Sequence, residues 1–397
     1  SMTSACRIAR IATAALALLA PMIVQAIERC DKNHFILSEP CIPTWTPVNS
    51  GLTDLDVRVV AVDPVRTTTL YAGGPTGVFK SVDGGVSWNL TGLQMAFRNF
   101  EDTNAAFQTF DRLPPWFTAA SLVAHLAIDS RNPNTLFAAT NSTTGAWYGQ
   151  RRLLKSTDGG ETWTDRVSPG INGGDNIVSL VLAPSDPATL YLANFDGIGD
   201  SWSPVVRTTD RAATWAYLGY PILNVLAVDP LDSRTIYAGT FDFDPYFTDL
   251  PNGVLKSSDG GETWAATGLT GSGITALTVD PRNSRTLYAA TGDSWWSKTA
   301  TGLFKSVDGG DSWARIDNRL VAPSSAVSAV VVDPRDSNNV YVATRRDGIS
   351  RSTDGGATWA PFSSGLQSLV IHSLVLVAGN PNTLYAGTPA GVFKATD

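Results

Sequence analysis

The chain has 397 residues, a formal net charge of −7, 16% charged residues and 43% hydrophobic ones. The acidic balance argues against nucleic acid as the main partner, and the apolar share suits a globular protein with a large core. The length would suggest two or more domains, but a fixed internal period overrides that prior.

Residues 1–26 have the layout of a secretory signal peptide. Met2 is the expected start. Arg7 and Arg10 form a basic opening, Ile11 to Val24 is apolar, and Val24-Gln25-Ala26 puts small residues at the cleavage positions. The expectation is a secreted or periplasmic protein with no membrane span once the leader is removed. A lead-in, 27–44, follows. Cys6 leaves with the leader, so Cys30 and Cys41 remain as an even pair in an exported chain, which predicts a disulfide. Closing that short loop is worth about 3 kcal/mol in the chain-entropy estimate. A redox or metal pair is the rival reading, and no further Cys or His completes a zinc-type spacing.

From residue 45 to the end one phrase repeats. It is clearest at 274–316. Ile274 to Val279 reads as a strand ended by Asp280-Pro281, Thr286 to Thr291 as a second, and Gly302 to Ser306 as a third. Then comes Ser306-Val307-Asp308-Gly309-Gly310-Asp311-Ser312-Trp313, a turn, with a fourth strand from Trp313 to Ile316. The Asp carboxylate and Ser hydroxyl are expected to accept backbone N–H groups two or three residues on. The glycines allow the positive φ of a tight turn. Trp offers a large apolar body to bury. The turn aspartates are Asp83, Asp158, Asp210, Asp259, Asp308, Asp354 and Asp397. Asp210 sits in a degenerate copy without glycines, and Asp397 in one that breaks off. An Asp tied into its own turn is placed for structure, not chemistry.

Short strands at regular spacing, with no sustained helical period, predict an all-β fold. Seven third strands at intervals of 43–52 residues, with one of 75, predict a seven-bladed β-propeller of four-stranded blades spanning 45–397 as a single domain. Trp45 to Leu52 matches the fourth strand Trp359 to Leu366 in spacing. It is therefore expected to complete the last blade as its outermost strand and clasp the ring.

The repeated Ser-x-Asp-x-Gly-Gly-x-Ser/Thr-Trp unit resembles the Asp-box, or BNR repeat. That repeat is found in sialidases, xyloglucanase-type glycoside hydrolases, sortilin-type receptors and lumenal photosystem II assembly factors. The resemblance implies the propeller fold over nearly all the chain after residue 44, and these families share no one activity.

In such meanders the Asp-boxes and the 1–2 loops share one face. The 2–3 loops and the blade-to-blade links share the other, and there the 2–3 loops read as long and aromatic. They carry Trp147 and Tyr148, then Trp202, then Phe243 and Tyr246, then Trp295 and Trp296. The link from Gln94 to Ala120 adds Trp116 and five phenylalanines. These rings either pack on one another or meet a ligand. The expected ligand is a protein partner or a glycan, and the chain is expected to be a monomer.

Glycoside hydrolysis needs two carboxylates about 5–10 Å apart. Asp196, Asp200, Asp242, Asp244 and Asp293 lie in loops on this face and are the candidates, though Asp is also a common turn residue. Sialidases imply an arginine cluster and a Phe-Arg-Ile-Pro segment, and the latter is absent here. Arg58, Arg151, Arg152, Arg345 and Arg346 are available without a motif to unite them. Xyloglucanase-type enzymes imply two propellers facing a cleft, where this chain encodes one. His372 and Arg58 fall at equivalent places on innermost strands, with Asn224, Thr275 and Ser328, and are candidates to line the channel. With three histidines in all, no metal or cofactor is expected. The sequence thus favours a binding or assembly module over an enzyme, with a glycan-acting hydrolase or lectin as the alternative.

Overall fold

The computed structural model describes residues 43–95, 121–142, 152–166, 176–195, 205–218, 223–241, 252–292, 302–317, 326–377 and 382–397. The stretch read as a leader, Cys30 and Cys41 lie outside these. The described residues form seven four-stranded antiparallel sheets in meander order, with no helix among them. Blade 1 comprises Val59–Val62, Leu70–Gly74, Gly77–Ser81 and Asn89–Gln94. Blades 2 to 6 begin their innermost strands at Ser121, Asn176, Leu223, Ile274 and Val327. Blade 7 comprises Ser373–Val377, Thr383–Thr388 and Gly391–Thr396.

The fourth strand of blade 7 is Thr46–Pro47, paired with Lys394 and Phe393. The clasp expected from the spacing of Trp45 is therefore present. It is two residues long, like its match Ala360–Pro361 in blade 6, and the chain turns beyond it at Gly51 (φ 92°). There the backbone of Trp88 packs so close that a Cβ would lie 2.1 Å from its carbonyl oxygen.

The second strands, such as Leu70–Gly74, Ile236–Thr240 and Val340–Thr344, are buried along their whole length. This is why they read as continuous apolar runs; blades cover both of their faces. Each contributes one fully buried ring, Tyr71, Phe137, Tyr191, Tyr237, Tyr288, Tyr341 or Tyr385. A buried tyrosine hydroxyl needs a partner, and most find it in the next blade's Asp-box. Tyr71 donates to the carbonyl of Gly159 at 3.1 Å, Tyr237 to Gly309 at 3.2 Å, and Tyr385 to Gly84 at 3.0 Å. A lysine from the third strand reaches the same oxygen and lies over the ring, as Lys256 does over Tyr237 at 5.3 Å. Burial pushes Tyr71 and Tyr385 up to about 12.

The Asp-box closes on itself, with one correction to the expected span. Gly85 N–H donates to Ser81 Oγ at 2.9 Å and Ser87 N–H to Asp83 Oδ1 at 2.9 Å, so the shortest bonds cross four residues, beside bonds of the expected span such as Asp83 N–H to Ser81 Oγ at 3.4 Å and Ala213 N–H to Asp210 Oδ1 at 3.0 Å. The Ser87 hydroxyl donates to Asp83 Oδ2 as well. These hydrogen bonds hold Asp83, Asp158 and Asp354 down at about 2, and Asp210, Asp259 and Asp308 lower still. In the degenerate copy Arg211 (φ 59°) and Ala212 (φ 65°) adopt the left-handed backbone that glycine takes elsewhere, and Asp210 still accepts from Thr214. Asp397 departs from the pattern. It takes Arg351 Nη1 at 2.7 Å and the hydroxyl of Tyr341, so it stands where other blades offer a glycine carbonyl.

Candidate functional site

The loop face divides into two sectors. In blades 7, 1 and 6 the 2–3 connections are tight turns: Thr388 pairs with Gly391, Gly74 with Gly77, and Thr344 N–H donates to Gly348 O. This corrects the expectation that these loops are long around the ring. In blades 2 to 5 the connections are 143–151, 196–204, 242–251 and 293–301. These lie outside the described residues, and so does the 96–120 link. With them go the candidates Trp116, Trp147, Tyr148, Trp202, Phe243, Tyr246, Trp295 and Trp296, and the carboxylates Asp196, Asp200, Asp242, Asp244 and Asp293.

The innermost strands of blades 2 to 6 share one irregularity. Pairing skips a residue between Val123 and His125, Ile177 and Ser179, Leu223 and Val225, Ile274 and Ala276, and Val327 and Ala329. The skipped residue is a β-bulge, which re-aims a side chain at a strand end. Arg58 and His372 hold the same position in blades 1 and 7. Each donates its N–H to the glycine that pairs with its successor, Gly73 at 2.8 Å and Gly387 at 2.9 Å. Of the row singled out from the sequence, Asn224, Thr275 and Ser328 are therefore bulge residues, and Arg58 and His372 stand at the equivalent places just before their strands.

Its members differ in how they are satisfied. Asn224 donates to the carbonyl of Ile274 at 2.7 Å, and Thr275 to that of Ala290 at 3.4 Å, which makes both structural. Arg58, Ser328 and His372 are different. Arg58 Nη2 donates to Asp56 Oδ2 at 2.7 Å, while His372 Nε2 stands 3.5 Å from Asp56 Oδ1, longer than a good hydrogen bond. Asp56 Oδ1, Arg58 Nε, His372 Nε2, Ser328 Oγ and Asp347 Oδ2 are buried atoms with no hydrogen-bond partner among the described residues.

The backbone that carries this cluster is firmly held. Asp54 accepts the Asp56 N–H at 3.0 Å and the Thr76 hydroxyl at 2.9 Å, which fixes the link into blade 1. Val57 N–H donates to Thr388 O, and Val60 N–H to Ser373 Oγ at 3.0 Å, stitching blade 1 to blade 7. Ile371 N–H donates to Thr344 O in blade 6. Arg345 and Arg346, at the end of that blade's second strand, are exposed. Burial, with the charges of Arg58 and Arg345, pulls His372 below the ordinary histidine range, and Asp56 partly offsets this. The cluster thus places an imidazole, a carboxylate and guanidinium groups from three blades at one mouth.

Sequence reasoning named Arg58, Ser328, His372, Arg345 and Arg346 but missed Asp56, which joins two of them. Its signal was present as Asp54-Leu55-Asp56, an acid pair in a link too short to need it. Arg152, also named, is spent on Asp165 at 3.5 Å on the outer edge of blade 2.

No family model matches the chain. A xyloglucanase of Acetivibrio thermocellus is 27% identical over 175 residues, which is 36% of this chain and 19% of that protein. Among solved structures, the GH74 xyloglucanase of Xanthomonas campestris superposes with a TM-score of 0.63 at 18% identity, covering 89% of this chain and 53% of that one. A YCF48 propeller bound to D1 peptide gives 0.55 at 13% identity, covering 91% of this chain and 96% of that one. The chain thus spans a fifth of its curated relative and about half of the hydrolase structure. The structural likeness establishes the shared propeller fold.

Proposed function

We propose that this propeller is a binding module that seats a protein partner on its loop face, across the channel mouth in the sector of blades 6, 7 and 1. One observation carries the reading: Asp56, Arg58 and His372 keep buried polar atoms unpaired at that mouth. Native proteins rarely leave such atoms unpaired, and each costs about 1–3 kcal/mol. Such atoms call for a partner from outside the described residues, a water, an ion or a ligand group. The aromatic segments 143–151, 196–204, 242–251 and 293–301 would frame the opposite sector and supply anchoring rings. That a YCF48 propeller of the same fold is bound to D1 peptide supports the reading.

A glycan-acting hydrolase is the second reading, favoured by the 27% identity to a xyloglucanase. The decisive experiment runs both arms on the same preparation. Immobilised protein is screened against peptide and glycan arrays, and reducing-sugar release is measured on xyloglucan. Peptide binding without turnover, lost in Arg58→Ala and in a Trp295→Ala/Trp296→Ala double variant, supports the module. Turnover abolished by Asp242→Asn or Asp293→Asn replaces it with the hydrolase. Export through the 1–26 leader, with a Cys30–Cys41 disulfide, belongs to the same reading. N-terminal sequencing and non-reducing mass measurement of secreted material test it.

A further inference from the structure

Among the described residues one ion pair engages the arginines of this mouth, and Asp347, beside Arg346, leaves a carboxylate oxygen unpaired. Arg58 is paired to Asp56, but neither Arg345 nor Arg346 has an ion-pair partner there. His372 lies between these groups. Its N–H is fixed to Gly387, and its ring faces Asp56 Oδ1 from 3.5 Å with Nε2 unpaired. That spacing is a contact waiting for a charge. An imidazolium carries N–H on both ring nitrogens, so once protonated Nε2 faces the carboxylate as a charged donor, whichever tautomer preceded it.

We infer that the mouth formed by blades 6, 7 and 1 binds an anionic group on its arginines and takes up one proton on His372 as it does so. The inference rests on the loop-face reading above for its biological use, but not for its chemistry. Three charged groups act on His372: Arg58 and Asp56 on the link entering blade 1, and Arg345 at the end of a blade 6 strand. Burial does most to disfavour the charged ring, the two arginines add to it, and Asp56 favours the charged form. An anion on Arg58 and Arg345 cancels their share of the lowering and leaves the attraction of Asp56, so the ring's proton affinity rises, a proton comes from solvent and the gap to Asp56 closes. Linkage makes the effect reciprocal, so acidification must tighten the anion by the same factor. Burial and the neighbouring arginines lower His372, which sets the window below its ordinary value of about 6.5.

Sulfate is a suitable probe. The ring resonances of His372, assigned by their loss in His372→Gln, are followed by NMR from pH 7.5 to pH 4.5 with and without sulfate. The expected result is an upward shift of the His372 midpoint on saturation. Sulfate affinity in the wild type is expected to rise as pH falls, by at most about tenfold per unit for one linked proton. His372→Gln should flatten that slope, and Arg58→Ala with Arg345→Ala should remove binding at every pH. An unmoved His372 midpoint at 0.1 M sulfate overturns the inference, as does a flat affinity profile in the wild type. So does a His372→Gln variant with the wild-type slope. None of these results touches the array experiment. Absence of any macromolecular ligand there would sink the binding module and leave this proton linkage standing.

Discussion

The indole N–H of Trp45 donates to the carbonyl oxygen of Phe362 at 2.6 Å, across 317 residues of sequence. Two other junctions use the same bond. Trp88 reaches Val48 at 2.7 Å, and Trp359 reaches Ile316 at 2.8 Å. In each case the tryptophan opening a fourth strand bonds to the end of the fourth strand in the preceding blade. The seam where the two ends of the described ring meet is therefore built like the internal ones.

Trp45 is also 1% exposed and meets the Phe362 ring edge-on at 5.8 Å. Trp45→Ala should cost about 3–5 kcal/mol, since it opens a cavity and leaves the Phe362 carbonyl unpaired. Trp45→Phe keeps most of the ring and should cost about 1–2 kcal/mol. Denaturant unfolding of both variants checks the order. Equal, small losses would mean the clasp does not hold the ring.

The tyrosine–lysine pairs predict a second ranking. Tyr237 is buried, and its hydroxyl shares the Gly309 carbonyl with Lys256. Tyr237→Phe should lose about 1 kcal/mol, the net worth of one hydrogen bond, because the lysine still satisfies that oxygen. Lys256→Met with Tyr237→Phe strands it, so the double loss should exceed the sum of the singles. A double-mutant cycle by chemical denaturation measures the excess.

Much of this fold was legible because its parts are local. Asp308, Gly309 and Gly310 declare the turn, Thr286 to Thr291 the buried strand, and the repeat sums them into a ring. The clasp was legible too, since Trp45 repeats the pattern of Trp359. The functional residues were less so, because the mouth cluster is made by closure. Asp56 and His372 lie at opposite ends of the sequence and meet when blade 7 docks on blade 1. Arg58 and His372 could be aligned by register, but nothing in the composition says that Asp56 would join them. The aromatic rings stood out for the opposite reason: Trp295 and Trp296 are conspicuous in any loop.

His125 predicts a pH dependence of stability. Its Nε2 lies 3.1 Å from the Ile177 carbonyl, between blades 2 and 3, and burial pushes it down to about 4. The unfolded chain titrates near the ordinary value of about 6.5. Between those values the unfolded state binds the extra proton, so stability falls as pH drops from about 6.5 to about 4. The loss should approach about 3 kcal/mol at the lower end. Unfolding free energies at pH 7.5, 6, 5 and 4 should show this slope in the wild type and a shallower one in His125→Gln. Parallel slopes would place the titration elsewhere.

The Asp-box carboxylates act at a lower pH, with the ordinary sign for an acid. Asp354 accepts the Thr358 N–H at 2.8 Å, the Thr358 hydroxyl and the Ser352 hydroxyl, and these bonds hold it at about 2. Unfolded, it titrates near about 3.9. Its contribution is therefore complete above that value and is lost as pH falls through about 2. Asparagine at this position keeps one acceptor oxygen but cannot carry the charge. Asp354→Asn should be less stable than the wild type at pH 6, and the gap should narrow steadily between pH 4 and pH 2. Thermal unfolding of the pair across that range is the measurement. A gap that stays constant down to pH 2 would show that the turn depends on the shape of the side chain and not on its charge.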